Sequence, residues 1–443
     1  MALPQDPHRP SPVPVGGLRK LVGLEEAMRI TDDAAPFSVV SVFRLAGSLP
    51  VPALRAALDE LQQRHPLLRA RIVPEGKAHA YLFDAAGPIP LEVADRDGAD
   101  HWMRVVEEEL AHRIDFATGP LIRCRYLVDG GGGDLVIAIP HNIVDATSAA
   151  PLFRELLALC AGRAPAGTTD ITAEGRTPAP ALYPKGYTGA GLALAAAAQM
   201  GRQMVDEMQF RWNSRGVRTA PIHPIAVGHC RVLPIKFSAP ASEALVQASR
   251  QHRITLNSML SAAMLSAVQR NLYPSPRVPL RHIIFSDLRS RLSRSVPDDM
   301  LGCFLTMFRL TVNVERDGAF WDLARQVQEK TVRAARSGER FVAYSMAPGM
   351  MKMIFGLKAF RMAATAVSYA GALDMSVSGG PFDVTGVHAF AANMTLGPEL
   401  SGLARLFRGE LYWDLLYLDS DMDAAGAQTI AGQIRTILES ATS

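Results

Sequence analysis

The stretch that most constrains this chain is "DLVIAIPHNIVDATSAAP", residues 134–151. Five apolar residues in a row, Leu135 to Ile139, read as a strand buried on both faces. Pro140 and His141 end the run, and Asp145 follows four residues after the histidine. His141 is the only one of eleven histidines with an aspartate at that spacing. A histidine at the mouth of a buried strand sits where core meets cleft, and there a neutral imidazole can take a proton near pH 7. The local pattern has a second reading. His141 is then a satisfied polar residue at a strand end, and Asp145 or Ser148 simply caps the helix that follows.

The rest of the chain reads as two halves. Residues 1–16, rich in proline, form a mobile arm. Residues 17–160 form an N-terminal lobe. In it "FSVVSVFRLAG" (37–47) is a strand, Leu54, Leu58 and Leu61 mark a helix, and "IRCRYLVDGGGGDLVIAIP" is a hairpin around four glycines. A helix runs from about 148 to 160. Residues 161–225 are a linker, thick with Gly, Pro, Thr and Ala, and a connecting helix from about 191 to 213. Residues 226–443 form a C-terminal lobe. Its strands are "GHCRVLPIKF", "LRHIIFSDLR", "CFLTMFRLTVNV" and "ELYWDLLYL". Two helices span 238–272, the second apolar all round and so buried. An amphipathic helix begins at Ala319, and a last one covers 423–440. Each half is expected to alternate strands and helices around its own sheet, an α/β (α+β) fold.

Composition removes several functions. At 443 residues and 48% apolar content, the chain carries a sizeable core. Forty-six basic residues against 43 acidic ones leave a charge of +3, without the clustered basic footprint of a nucleic-acid binder. Cys124, Cys160, Cys230 and Cys303 are scattered, with no CxxC pair, and fit a reducing compartment better than disulfides or zinc. No metal site is expected. The N-terminus lacks a signal-peptide core, and "GLALAAAAQM" is too short to cross a bilayer, so the expected location is the cytoplasm.

Motifs in series add a family. "FRLAGSLPVPALRAALDELQQRHPLLRARI", "IDFATGPLIRCRYL", "IPHNIVDA", "ITLNSMLSAAMLSAV", "FSDLRSRLSRSVPDDMLGCFLTMF" and "VSYAGALDM" occur in this order between residues 37 and 418. The chain resembles the condensation-domain and HxxxD acyltransferase superfamily, which has a chloramphenicol-acetyltransferase-like fold. The resemblance implies two lobes, each a mixed sheet flanked by helices. They would be set as a V, with the active site in a tunnel between them. It implies that His141 is the catalytic base, and that Asp145 turns away from substrate to pair with Arg289 of the second lobe. Two positions depart from the family pattern. Pro140 replaces a first histidine, and Ala146 replaces a glycine.

The activity implied is acyl transfer without a covalent enzyme intermediate or bound cofactor. The donor is a thioester on the phosphopantetheine arm of an acyl or peptidyl carrier protein, and the acceptor a small alcohol or amine. This suits chain release or tailoring in polyketide or nonribosomal-peptide assembly. Alternatives on the same fold are a CoA-dependent alcohol or lipid O-acyltransferase and a catalytically silent docking module. For the oxyanion and channel, the residues named are Ala146, Thr306, Ser368, Tyr369 and Trp413. Ordinary strand hydrogen bonding is the competing reading for Thr306 and Ser368, and strand burial for Trp413. The five methionines of 346–367 read as core, as the lining of an acyl channel, or as a contact with a membrane surface.

Overall fold

A computed structural model describes residues 17–163, 174–214, 228–336, 338–357, 360–377 and 380–442. The expected arm, residues 1–16, and parts of the expected linker lie outside them. The elements, in chain order, begin with β1 (Leu18–Lys20), α1 (Leu24–Ala34), β2 (Ser38–Gly47), α2 (Val51–Arg64), β3 (Arg71–Glu75) and β4 (Ala78–Leu82). Then come β5 (Leu91–Asp95), α3 (His101–Ala111), β6 (Arg123–Asp129), β7 (Gly132–Pro140), α4 (Ala146–Cys160) and α5 (Gly189–Asn213). The second half holds β8 (Cys230–Phe237), α6 (Ala239–Gln251), α7 (Leu256–Leu272), β9 (Arg277–Asp287), β10 (Leu305–Glu315), α8 (Phe320–Arg336) and α9 (Glu339–Phe355). It closes with β11 (Ala363–Leu373), β12 (Phe382–Ala391), β13 (Pro398–Phe407), β14 (Glu410–Leu418) and α10 (Ala424–Ser440).

Two mixed sheets carry the molecule, in the strand orders β12-β2-β7-β6-β5 and β10-β9-β11-β13-β14-β8, with a small third sheet, β1-β4-β3. The β6–β7 hairpin forms as its glycines predict, pairing Asp129 with Gly132. β7 is buried at all nine positions, as its unbroken apolar run requires. On the second sheet, α7 is buried all round among α6, α8 and α10 and supplies much of that core.

The two halves do not each keep to their own sheet. β12 comes from the second half, yet it pairs antiparallel with β2 along its length, from Phe382↔Gly47 to Ala391↔Val39. Its buried Phe382, Val384 and Val387 fill the core of the first lobe. The reason is local: alternating apolar residues on 382–391 find an unpaired strand edge at β2. In the other direction, α1 leaves the first lobe and packs on α9. Gly23 enters α1 with φ +54°, and its missing Cβ is space taken by the Tyr344 ring. The boundary at 226 therefore divides the chain but not the structure.

Candidate active site

β7 delivers His141. Pro140 pairs with Ser38 at the last rung of the ladder, and the Ile143 N–H closes a turn onto the Pro140 carbonyl at 3.2 Å. His141 leaves the sheet at that turn. Its ring lies over Phe37, with centroids 6.2 Å apart and planes 16° from parallel. Nδ1 sits 2.9 Å from the Val144 carbonyl oxygen. A carbonyl can only accept, so Nδ1 carries the proton and Nε2 holds a free lone pair. Burial pushes the imidazole below its ordinary pKa, against the opposing pull of the Val144 carbonyl.

Asp145 is turned the other way. It caps α4, and the helix starts at Ala146, two residues earlier than the periodicity suggests. Its Oδ1 accepts from the Ser148 N–H at 2.9 Å and the Ser148 hydroxyl at 3.0 Å. Oδ2 accepts from Arg289 Nη1 and from the Phe304 N–H, both at 2.8 Å. Four donors fill one carboxylate. The helix cap and the ion pair, read from sequence as rival roles, are both present on the same side chain.

Arg289 lies in a short helical turn after β9 and is buried. Its Nη1 also bonds Asp287 at 3.0 Å, Nη2 donates to the Met300 carbonyl at 3.3 Å, and the guanidinium lies 4.6 Å above the Phe304 ring. Burial alone would lower its pKa; Asp145 and Asp287 outweigh that and hold it above the ordinary value. Asp287 is shifted up by burial, with Asp145 adding repulsion against the pull of Arg289. The pair thus fastens the His141 turn to the second sheet.

The structure sorts the remaining expected residues. Ala146 is the first helical residue of α4 and is exposed; its backbone is not left-handed, so alanine is accommodated where the family pattern has glycine. Thr306 is buried, and its hydroxyl donates to the carbonyl of Arg340 in α9 at 3.3 Å, a contact from strand to helix. Ser368 and Tyr369 sit half-buried on β11, opposite Leu403 and Ala404. Burial raises the Tyr369 phenol. Trp413 is fully buried in the second-sheet core, with its indole nitrogen against Gly402. That places it inside the core and not on a channel wall. Met351 is likewise buried in a core cluster with Phe341, Tyr344 and Phe304, while Met353 is exposed.

One site neighbour carried no sequence signal. Glu174 comes from the segment read as linker and is fully buried. It bonds His65 Nδ1 at 2.7 Å, the Leu67 N–H at 3.1 Å and the Leu301 N–H at 3.2 Å. It therefore ties the "RHPLLR" element to the loop that supplies Phe304. Among the described residues, no three His, Cys, Asp or Glu groups are placed to hold a metal ion. No helix among the described residues is long and apolar enough to cross a membrane.

With this geometry in hand, comparison with known proteins shows what the chain is similar to. Residues 29–169 match the family model described as "Condensation domain". Residues 227–373 match "Phthiocerol/phthiodiolone dimycocerosyl transferase C-terminus". Both halves of the chain are thus similar to condensation-type acyltransferase families. It is 27% identical over 351 residues to the isonitrile lipopeptide synthase of Mycobacterium tuberculosis, covering 74% of this chain but 13% of that protein. It is 27% identical over 269 residues to the phthiocerol/phthiodiolone dimycocerosyl transferase of Mycobacterium leprae, covering 57% of this chain and 59% of that one. The trichothecene 15-O-acetyltransferase of Fusarium sporotrichioides superposes with a TM-score of 0.75 at 12% identity, over 96% of both chains. That likeness shows the two-lobed fold. Its relatives place the protein among condensation-type transferases.

Proposed function

We propose that the protein moves an acyl group from a carrier-bound phosphopantetheine thioester to a hydroxyl or amine, with His141 as general base. One observation carries the reading. His141 spends its only proton on the Val144 carbonyl while Asp145 is saturated elsewhere, so Nε2 is a neutral base. Nε2 takes the proton as the acceptor oxygen or nitrogen bonds to the thioester carbon. The tetrahedral intermediate then collapses, the C–S bond breaks, and the proton passes to the departing sulfur. The base supplies about 10²–10⁴-fold of the rate, and co-binding both substrates supplies the rest of the advantage through proximity.

The N–H of Ala146, in the first turn of α4, and the Ser368 hydroxyl are assigned to the developing oxyanion. The Thr306 hydroxyl is engaged with Arg340, and Trp413 and Tyr369 are given no contact with substrate. The names of the relatives support both acceptor classes, one being a lipopeptide synthase and one a dimycocerosyl transferase. Four free, buried cysteines support a reducing, cytoplasmic setting.

The test is intact-mass spectrometry of an acyl-loaded carrier protein, incubated with this protein and a pool of alcohols and amines. Wild type should unload the carrier and form a new ester or amide, and His141→Ala, checked by circular dichroism, should not. Unloading by both at equal rate would remove His141 from its role. Turnover of acyl-CoA in place of the carrier would move the donor to coenzyme A, and failure of both donors would favour the silent docking module.

A further inference from the structure

α5 is built inside out. Its 25 residues span about 37 Å at 1.5 Å per residue. The face toward the protein is polar. Gln199 is the buried residue of the helix, and Asp206 and Glu207 reach the second sheet. Glu207 bonds Arg281 at 2.6 Å and Arg309 at 3.3 Å, and Asp206 bonds Thr311 at 3.2 Å. Phe210 lies under Arg281 at 4.0 Å. The opposite face is apolar and open. Leu194 is 75% exposed, Met204 62%, Met208 66% and Trp212 66%, with Met200 and Val205 beside them. At 100° per residue these six fall within about 140° of one another, and Ala197 and Gly201 fill gaps between them. A stripe of this size on a chain's surface marks an interaction site.

Charge says what kind of surface fits. Arg202 borders the stripe beyond Val205, and Arg211 lies within it near the Met200 edge, with side chains 58% and 66% exposed. Their ion pairs, to Glu339 at 2.9 Å and to Glu207 at 2.8 Å, are of the exposed, weak kind that a phosphate oxygen can share. The acids of the helix are the residues that turn inward. A second copy of this helix would bring the same two arginines and no outward acid to meet them. Methionine and tryptophan beside exposed arginines is instead the pattern of a helix lying in a headgroup layer.

We propose that the outer face of α5 seats the protein on an anionic lipid surface. Leu194, Met200, Met204, Val205, Met208 and Trp212 enter the acyl boundary, and Arg202 and Arg211 meet headgroup phosphates. The proposal is independent of the reaction at His141, so its test needs no substrate.

The full chain is sedimented with vesicles of phosphatidylcholine containing phosphatidylglycerol, and with phosphatidylcholine alone. Binding is expected to the anionic vesicles, to fall with salt, and to drop at least tenfold in Met204→Glu/Met208→Glu. Both positions are exposed, so folding is retained and is checked by circular dichroism. Trp212, the exposed tryptophan, should shift its emission to the blue on binding, a change lost in Trp212→Phe. Three results would overturn the proposal: wild type left in the supernatant, equal pelleting of wild type and the double variant, or a dimer by light scattering that the double variant abolishes without any vesicle binding.

Discussion

Two buried aspartate–arginine–histidine assemblies join the five-stranded sheet to the six-stranded one, and they are wired in opposite ways. At β12, Asp414 accepts from the Ala389 N–H at 2.8 Å and pairs with Arg405 at 2.6 Å. It also takes the Nδ1 proton of His388 directly, at 2.8 Å, while Trp102 stacks on that ring at 4.3 Å. At β7, Asp145 has the same arginine and backbone N–H partners but no bond to His141, whose Nδ1 goes to a carbonyl. The parts are the same and the outcome differs. His388 is tied to a carboxylate that helps hold the exchanged strand, whereas the His141 ring is tied only to a neutral carbonyl.

The largest effects should come from the two carboxylates. Asp414→Ala strands Arg405, which is 2% exposed and left with carbonyls alone, and Asp145→Ala strands Arg289, which keeps Asp287. Breaking a buried pair from one side costs about 3–5 kcal/mol. Denaturant unfolding should put both variants in that range, with Asp414→Ala the worse. An Asp145→Ala protein as stable as wild type would mean that the two junctions are not comparable.

A third assembly sharpens the contrast. His65 lies between Glu174 and Glu155, and Glu155 also takes Arg64, so this ring meets two carboxylates where His388 meets one. Burial pulls its pKa down, but the two carboxylates prevail and raise it to about 9. A group raised on folding contributes stability that is full below its unfolded value near 6.5 and is lost as pH rises through about 9. Wild type should therefore lose up to a few kcal/mol across that alkaline window. Glu174→Gln should be less stable at neutral pH and show a flatter profile. An equally steep profile in the variant would assign the effect to other groups.

What sequence shows of this design is uneven, for physical reasons. The pairing of Asp145 with Arg289 was implied only by the family resemblance, whereas β7, the hairpin and α7 were legible, because burial on both faces and glycine turns write themselves into residue type. The partners of Asp145 and His141 were not, because the Phe304 N–H and the Val144 carbonyl are backbone groups that any residue provides. Strand exchange by β12 was also hidden, since an alternating strand says which face it buries but not which edge it joins. Glu174 sits in a segment without periodicity, where its burial depends wholly on tertiary contacts.

The two histidines should then fail in opposite ways. His388→Ala removes a buried bond to Asp414 and a stacked ring, so a loss of about 1–3 kcal/mol is expected, with turnover per folded molecule kept. His141→Ala should change stability by less than about 1 kcal/mol, since it gives up one bond to a carbonyl, and should reduce acyl transfer about 10²–10⁴-fold. Unfolding curves and turnover on the same samples make the test. Equal loss of activity in both would put His388 in the chemistry.

The smallest effect is the shape of the acid limb. A base must be unprotonated to act, and burial lowers the His141 pKa below 6.5 in the folded protein. kcat/KM should therefore stay level as pH falls through the ordinary imidazole range, and decline only below it. The sign follows from the wiring. A carboxylate bonded to this ring would favour the imidazolium and move the limb toward neutrality, which is what turning Asp145 toward Arg289 avoids. Val144 can be tested only through its backbone, so the lever is Arg289→Lys. The lysine keeps the charge but not the two-armed hold on Asp145, Asp287 and Met300. If the carboxylate swings toward the imidazole in that variant, the limb moves up in pH while the fold persists. A limb that stays put, with activity merely lower, would show that Asp145 acts on the position of His141 and not on its charge.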